Sequence, residues 1–106
     1  EHPRQSLPRK FFCGAACSLM SFGVKGGFDG AKRFYDALKL VKRLVNLGDA
    51  KSLSCHPAST THRQMSAEEQ RKAGVRPEAI RLSVGIEHID DIIGDLDHAL
   101  RAGLPA

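Results

Sequence analysis

The sequence predicts an α/β fold: a small two-layer sandwich with helices packed on one face of a short, mainly antiparallel sheet. Three observations carry that expectation. In residues 79–86, Ile80, Leu82, Val84 and Ile86 alternate with Arg81, Ser83 and Gly85, the period of a strand with one apolar face. Two further stretches, beginning near Ala31 and Ile89, repeat apolar residues every three or four positions, the period of an amphipathic helix. The predicted elements then follow one another as β-α-β-α-β-α with short turns, and such helices have one sheet to cover.

The elements follow in order. Residues 1–14 carry Pro3, Pro8 and Gly14 without clean periodicity and read as an irregular opening segment, so the domain is placed over 15–106. Ala15–Val24 reads as a strand with Ala16, Ser18, Met20, Phe22 and Val24 on one face. Gly26, Gly27 and Gly30 break it. A helix follows, with Ala31, Phe34, Leu38, Val41 and Val45 along one stripe and Gly48 as its stop. Ser52–His56 is a short strand ended by Pro57. Ser66-Ala67-Glu68-Glu69 has the capping-box pattern, a hydroxyl at the N-cap and a glutamate three residues on, so a short helix runs from there to Gly74. The alternating strand Ala79–Ile86 comes next. The last helix carries Ile89, Ile92, Ile93, Leu96 and Leu100 on one side. Asp90 and Asp91 lie in its first turn and Arg101 in its last, the order the helix dipole favours.

Composition narrows the function classes. A chain of 106 residues with 42% hydrophobic and 26% charged residues has the make-up of an ordinary globular domain. No run approaches the roughly 18–20 apolar residues of a membrane span, and no signal-peptide pattern follows the basic N-terminal residues. The net charge is +4, and the bases group at Arg4–Lys10 and along the helix at Lys32–Arg43. In the second group they interleave with an apolar stripe, which is the pattern of a solvated helix face and argues against a nucleic-acid partner. Cys13, Cys17 and Cys55 contain no Cys-x-x-Cys and fit a reduced, cytoplasmic protein better than a disulfide scaffold.

Few residues carry chemistry. Strand alternation sends Ile80 and Leu82 toward the helices, so Arg81 emerges on the opposite, open face. Its planar fork matches a carboxylate bidentately. Read from alternation alone, that carboxylate is either a ligand's or a surface partner such as Glu87. His56 and His62 flank a Pro-Ala-Ser-Thr-Thr loop without helical metal-ligand spacing and read as loop-ordering residues. Cys55 and His56 point to opposite faces of a strand, a poor geometry for a nucleophilic pair. Gly23-Val24-Lys25-Gly26 is a Gly-x-x-Gly, the loop that clamps RNA backbone in KH domains. Those loops join two helices, whereas this one follows a strand, so it reads as a turn needing glycine conformations. A stand-alone, non-catalytic binding module is the reading it leaves open.

Several motifs stand at mutually consistent spacing: Ser21-Phe22-Gly23-Val24-Lys25-Gly26-Gly27, Asn46-Leu47-Gly48-Asp49-Ala50-Lys51-Ser52-Leu53, His56-Pro57-Ala58-Ser59-Thr60-Thr61-His62, Arg81-Leu82-Ser83-Val84-Gly85, and Ile86-Glu87-His88-Ile89-Asp90-Asp91-Ile92. Together, from Lys10 onward, they resemble the C-terminal end of the cystathionine/methionine-metabolism family of pyridoxal-phosphate (PLP) enzymes. Within it they are most similar to O-acetylhomoserine sulfhydrylases, with methionine γ-lyase and cystathionine γ-synthase as the alternatives. The resemblance implies the C-terminal domain of a fold-type I PLP enzyme. Arg81 would hold the α-carboxylate of an amino-acid substrate. Asn46 lies where lyase relatives carry a serine beside that carboxylate, and Thr61 matches a threonine lining the substrate pocket. The implied reaction replaces the γ-acetate of O-acetylhomoserine by sulfide or a thiol, with PLP as electron sink.

The resemblance also implies what this chain lacks. No Ser-x-x-Lys matches the Schiff-base motif, and the cofactor-stacking tyrosine is not Tyr35, which lies on a helix. PLP is therefore expected on an upstream domain absent from this chain. A homo-oligomer of full-length chains, a tetramer, is the implied assembly.

Overall fold

The computed structural model describes residues 17–45 and 48–104. The expected opening segment 1–14 and Asn46 lie outside them. Four strands, β1 (Leu19–Gly23), β2 (Lys42–Arg43), β3 (Leu53–Cys55) and β4 (Ala79–Ser83), form one sheet in the order β1-β4-β3-β2. β4 runs antiparallel to both β1 and β3, and only β2 and β3 are parallel. The helices are α1 (Gly27–Ala37), α2 (Ala67–Lys72) and α3 (Ile89–Gly103), with a 3₁₀ turn at Pro57–Ser59. A mainly antiparallel sheet with helices on one face is the expected fold.

The alternation in β4 organises the layers. Ile80 and Leu82 are buried against Phe34, Ala31, Leu38, Val41 and Ala99, with Phe22 packed alongside from β1. Phe22 and Phe34 meet edge to face, ring centroids 5.7 Å apart. Of the expected strand Ala15–Val24, Ala15 and Ala16 lie outside the described residues, and within those described β1 spans only Leu19–Gly23. Gly26 and Gly27, at φ 101° and 65°, turn it directly into α1, a geometry that favours glycine. β4 also stops early, at Ser83, and Ile86 is 85% exposed. The segment beyond Ser83 turns away to bond a loop, Ile86 N–H donating to the Ala50 carbonyl at 2.8 Å.

The second element departs most from expectation. The apolar stripe predicted one helix reaching Val45, but α1 ends at Ala37 and Leu38 is already extended. The cause is distant in sequence. Asp95, on α3, accepts the backbone N–H groups of Lys39, Leu40 and Val41, each at 2.9 Å. Those three donors, gathered on one carboxylate, replace the next helical turn and redirect the chain into β2. Leu38 and Val41 are still buried, whereas Val45 is 50% exposed.

The stripe of α3 is also rotated from expectation. Ile92, Asp95, Ala99 and Gly103 are its buried positions, while Ile89, Ile93 and Leu100 are exposed. Closest approach to α1 decides this. A Cβ on Gly103 would stand 3.0 Å from the Gly30 carbonyl and 3.1 Å from Phe34 Cβ, and a Cβ on Gly30 would collide with the Lys25 carbonyl. Small residues therefore mark the interface. The capping box of α2 forms as expected: Ser66 Oγ accepts from Glu69 N–H at 3.3 Å and Glu69 Oε2 from Ser66 N–H at 2.7 Å.

The Asp95 bonds predict that Asp95→Ala strands three backbone donors and destabilises the fold by on the order of 3 kcal/mol. Hydrogen exchange provides the check: the amides of residues 39–41 lose protection first, before those of β4.

Candidate substrate-binding site

Residues paired across neighbouring strands share a sheet face. The register sets Arg81 opposite Ser21 on β1 and opposite Cys55 on β3, so Arg81 occupies the middle of the face away from Ile80 and Leu82. Its side chain is half-buried. One guanidinium nitrogen, Nη2, donates to the Val45 carbonyl at 2.6 Å. Among the described residues Arg81 has no carboxylate partner.

Glu87, the surface partner weighed from the sequence, is engaged elsewhere. Its carboxylate accepts the Ser52 N–H at 3.0 and 2.9 Å and the Ser52 hydroxyl at 3.2 Å. Ser52 is fully buried and joins three segments. Its Oγ accepts from Gly85 N–H at 2.8 Å, and its carbonyl accepts from Lys42 N–H at 2.9 Å. Ser83, two residues along the open face from Arg81, accepts from Gly48 N–H at 3.4 Å. Gly85 is required here, because a Cβ would collide with the Ala50 carbonyl and Glu87 Oε1. Lys42 and residues 48–52 are thus joined through Ser52 and pinned to the end of β4.

The second wall follows β3. His56 is fully buried: Nε2 lies 2.7 Å from the Pro77 carbonyl and Nδ1 2.7 Å from Ser59 Oγ. A carbonyl only accepts, so Nε2 carries the proton and Nδ1 accepts from the serine in the neutral ring. Thr60 Oγ1 donates to the His56 carbonyl at 2.7 Å, and Gln70, on α2, donates to the carbonyls of Ala58 and His62 at 3.0 and 2.7 Å. His56 orders this loop, as its spacing suggested.

Thr61 stands exposed on that loop, its Oγ1 2.8 Å from His62 Nδ1, and lines a shallow depression of about 550 Å³ formed by residues 59–65. It does not touch Arg81; the link between them runs through Cys55, which pairs with Arg81 and whose Sγ lies 3.4 Å from Thr60 Oγ1. A larger open groove of about 650 Å³ lies between α1 and the same loop, floored by Phe28, Tyr35, Met65 and Pro77, and contains none of the three candidate residues. Tyr35 packs near His56, and burial raises its phenol above the usual value.

The site offers a cation held by a neutral carbonyl, with most of its donors uncommitted among the described residues, beside a loop fixed by a carboxylate–serine network. That suits a small carboxylate ligand. It does not suit a cofactor aldehyde. Every described lysine is exposed, and none has the desolvated setting that activates an amine for Schiff-base formation. The residues that sequence reasoning missed are Ser52 and Asp95. The spacing of Asp95 from Ile92 and Ala99 put it on the buried stripe, a readable signal; Ser52 gave none.

The profile of a family described as Cys/Met metabolism PLP-dependent enzymes matches residues 1–101. The chain is 50% identical over 99 residues to O-acetyl-L-homoserine sulfhydrylase 1 of Thermus thermophilus, covering 93% of this chain and 24% of that protein. It is 55% identical over 84 residues to O-acetyl-L-homoserine sulfhydrylase of Leptospira meyeri, covering 79% and 19%. A crystal structure of a putative O-acetylhomoserine (thiol)-lyase from Campylobacter jejuni, which contains N′-pyridoxyl-lysine-5′-monophosphate, superposes with a TM-score of 0.79 at 44% identity, over 95% of this chain and 24% of that one. The chain therefore spans about a quarter of the length of these relatives.

The Ser52 hydrogen bonds hold the Glu87 carboxyl below its ordinary value of 4.5. A depressed folded value means the stabilisation is complete above pH 4.5 and is lost as pH falls through that lower value. Carboxyl NMR shifts of Glu87 and amide shifts of Ser52 and Gly85 should move together, with a midpoint below 4.5.

Proposed function

The chain belongs to the Cys/Met-metabolism family of PLP-dependent enzymes, and from that premise we propose that it is the substrate-gripping C-terminal domain of an O-acetylhomoserine sulfhydrylase. The observation that carries the reading is Arg81: a guanidinium on the open face of the central strand pair, oriented by a neutral carbonyl and unpaired with any carboxylate among the described residues. The names of the relatives support sulfhydrylase over γ-lyase or cystathionine γ-synthase.

In this reading Arg81 binds the α-carboxylate of O-acetylhomoserine through two parallel N–H···O bonds, which fixes one end of the substrate and the direction of its Cα–H bond. By the family resemblance Asn46 and Thr61 also contribute to substrate binding. PLP, when bound, supplies the electron sink for elimination of acetate and addition of sulfide or thiol. The described lysines do not fit its attachment, and the same proposal places it on an upstream domain. Free Cys17 and Cys55 support a cytoplasmic setting, and none of the described helices is long and apolar enough to cross a membrane. The same proposal includes a homo-oligomer, a tetramer by family resemblance. Exposed Ile89, Ile93 and Leu100 on α3 provide apolar surface for further chain to cover.

Arg81→Ala in the complete enzyme should lower kcat/KM for O-acetylhomoserine roughly 100-fold, mainly through KM, and leave the PLP absorbance intact. Steady-state kinetics beside a cofactor spectrum decide it, and unchanged kinetics remove the assignment.

A further inference from the structure

We infer that Glu87 is a positioning residue for the carboxylate grip: acting through buried Ser52, to which Lys42 is bonded, it holds residues 42–45 against the end of β4 and so sets the Val45 carbonyl that orients Arg81. The inference rests on the proposed role of Arg81 and goes beyond it. Val45 lies three residues past Lys42, whose N–H donates to the Ser52 carbonyl at 2.9 Å, so its carbonyl is carried by a short segment tied at Lys42 to Ser52. Beside the pairing of Leu53 with Lys42 and Ser83, Ser52 ties that junction to the segment beyond β4. Its N–H and hydroxyl both donate to Glu87, and its Oγ accepts from Gly85, beyond the end of β4.

The arrangement has direction. The Gly85 N–H donates to Ser52 Oγ, which must therefore turn its own proton outward, and Glu87 is the acceptor that receives it. An ionised carboxylate is needed. An amide with its oxygen in the place of Oε1 still accepts both Ser52 donors, but its N–H₂ then stands where Oε2 lies, 2.9 Å from the Ser52 N–H, one donor facing another, which weakens the junction. Ile86 N–H to Ala50 and Gly48 N–H to Ser83 are further contacts of residues 48–50, whereas Val45 is reached from Ser52 through Lys42. Loosening the Ser52 junction therefore displaces the Val45 carbonyl and lets the guanidinium wander, while the strand carrying Arg81 stays packed through Ile80 and Leu82.

The test compares Glu87→Gln, Ser52→Ala and Arg81→Ala in the complete PLP-loaded enzyme. For Glu87→Gln, KM for O-acetylhomoserine should rise roughly tenfold with kcat within about twofold. Competitive inhibition by L-norvaline should weaken in proportion, while inhibition by n-butylamine, the same skeleton without the carboxylate, stays unchanged. Ser52→Ala keeps the backbone donor and should give a smaller shift in the same direction. If Arg81→Ala raises KM but Glu87→Gln does not, the positioning role is overturned and the Arg81 reading stands. Equal weakening of norvaline and butylamine by Glu87→Gln also overturns it, because the residue is then merely structural. If Arg81→Ala changes nothing, the reading on which the inference rests has failed.

Discussion

A single carboxylate on α3 determines how the rest of the chain is laid out. Asp95 gathers three consecutive backbone N–H groups at 2.9 Å, ending α1 and starting the turn toward β2. A buried carboxylate is costly unless its oxygens are satisfied, and successive amides pointing to one place form the kind of concavity that satisfies an anion. The bond is long-range: Asp95 is 54 to 56 residues from its donors. It therefore locks α3 to the end of α1 at the same time as the glycine contact of Gly30 and Gly103 locks their crossing. Without it, the stripe through Val41 and Val45 would favour continuing α1, and the short parallel pairing of β2 with β3 would have no chain to form it.

What Asp95 begins, Glu87 completes on the other side of the same loop. Both residues use a carboxylate to take up backbone N–H groups that no helix or strand satisfies. Between them lies Lys42–Val45, entering from the turn that Asp95 caps and bonded through Lys42 to the Ser52 junction that Glu87 holds. Val45 meets Arg81, which lies on a strand bonded on both edges.

The sequence made some of this legible and left some hidden, for definite reasons. The alternation around Arg81 and the Ser66–Glu69 capping box are local signals, and both appear in the structure as read. The end of α1 could not be read locally, because Leu38, Val41 and Val45 continue the helical period and the group that stops the helix lies on another element. In α3 the large apolar residues gave only part of the buried face: Ile92 and Leu96 lie against the core, the others do not. Ile89, Ile93 and Leu100 are exposed, while Ala99 and Gly103 are buried because two helices approach closely only where side chains are small. Hydrophobic periodicity weighs side-chain size, whereas close helix packing selects against it. Within the site, the open face of Arg81 was legible, but its partner was not: Val45 contributes a carbonyl, which is common to every residue and leaves no trace in the sequence.

That partner matters for electrostatics. A guanidinium beside a fixed carboxylate would be neutralised and would force an incoming carboxylate to displace its rival. A neutral carbonyl orients the same fork and leaves its charge available. Glu87 is the nearby acid that could have become the rival, lying six residues beyond Arg81, and its engagement with Ser52 removes it from competition. The network that fixes Ser52 therefore also removes Glu87 as a partner, and among the described residues the cation has no carboxylate beside it. One buried serine, accepting from Gly85 and donating to Glu87, joins the two effects, so the geometry of the grip and its charge are set together.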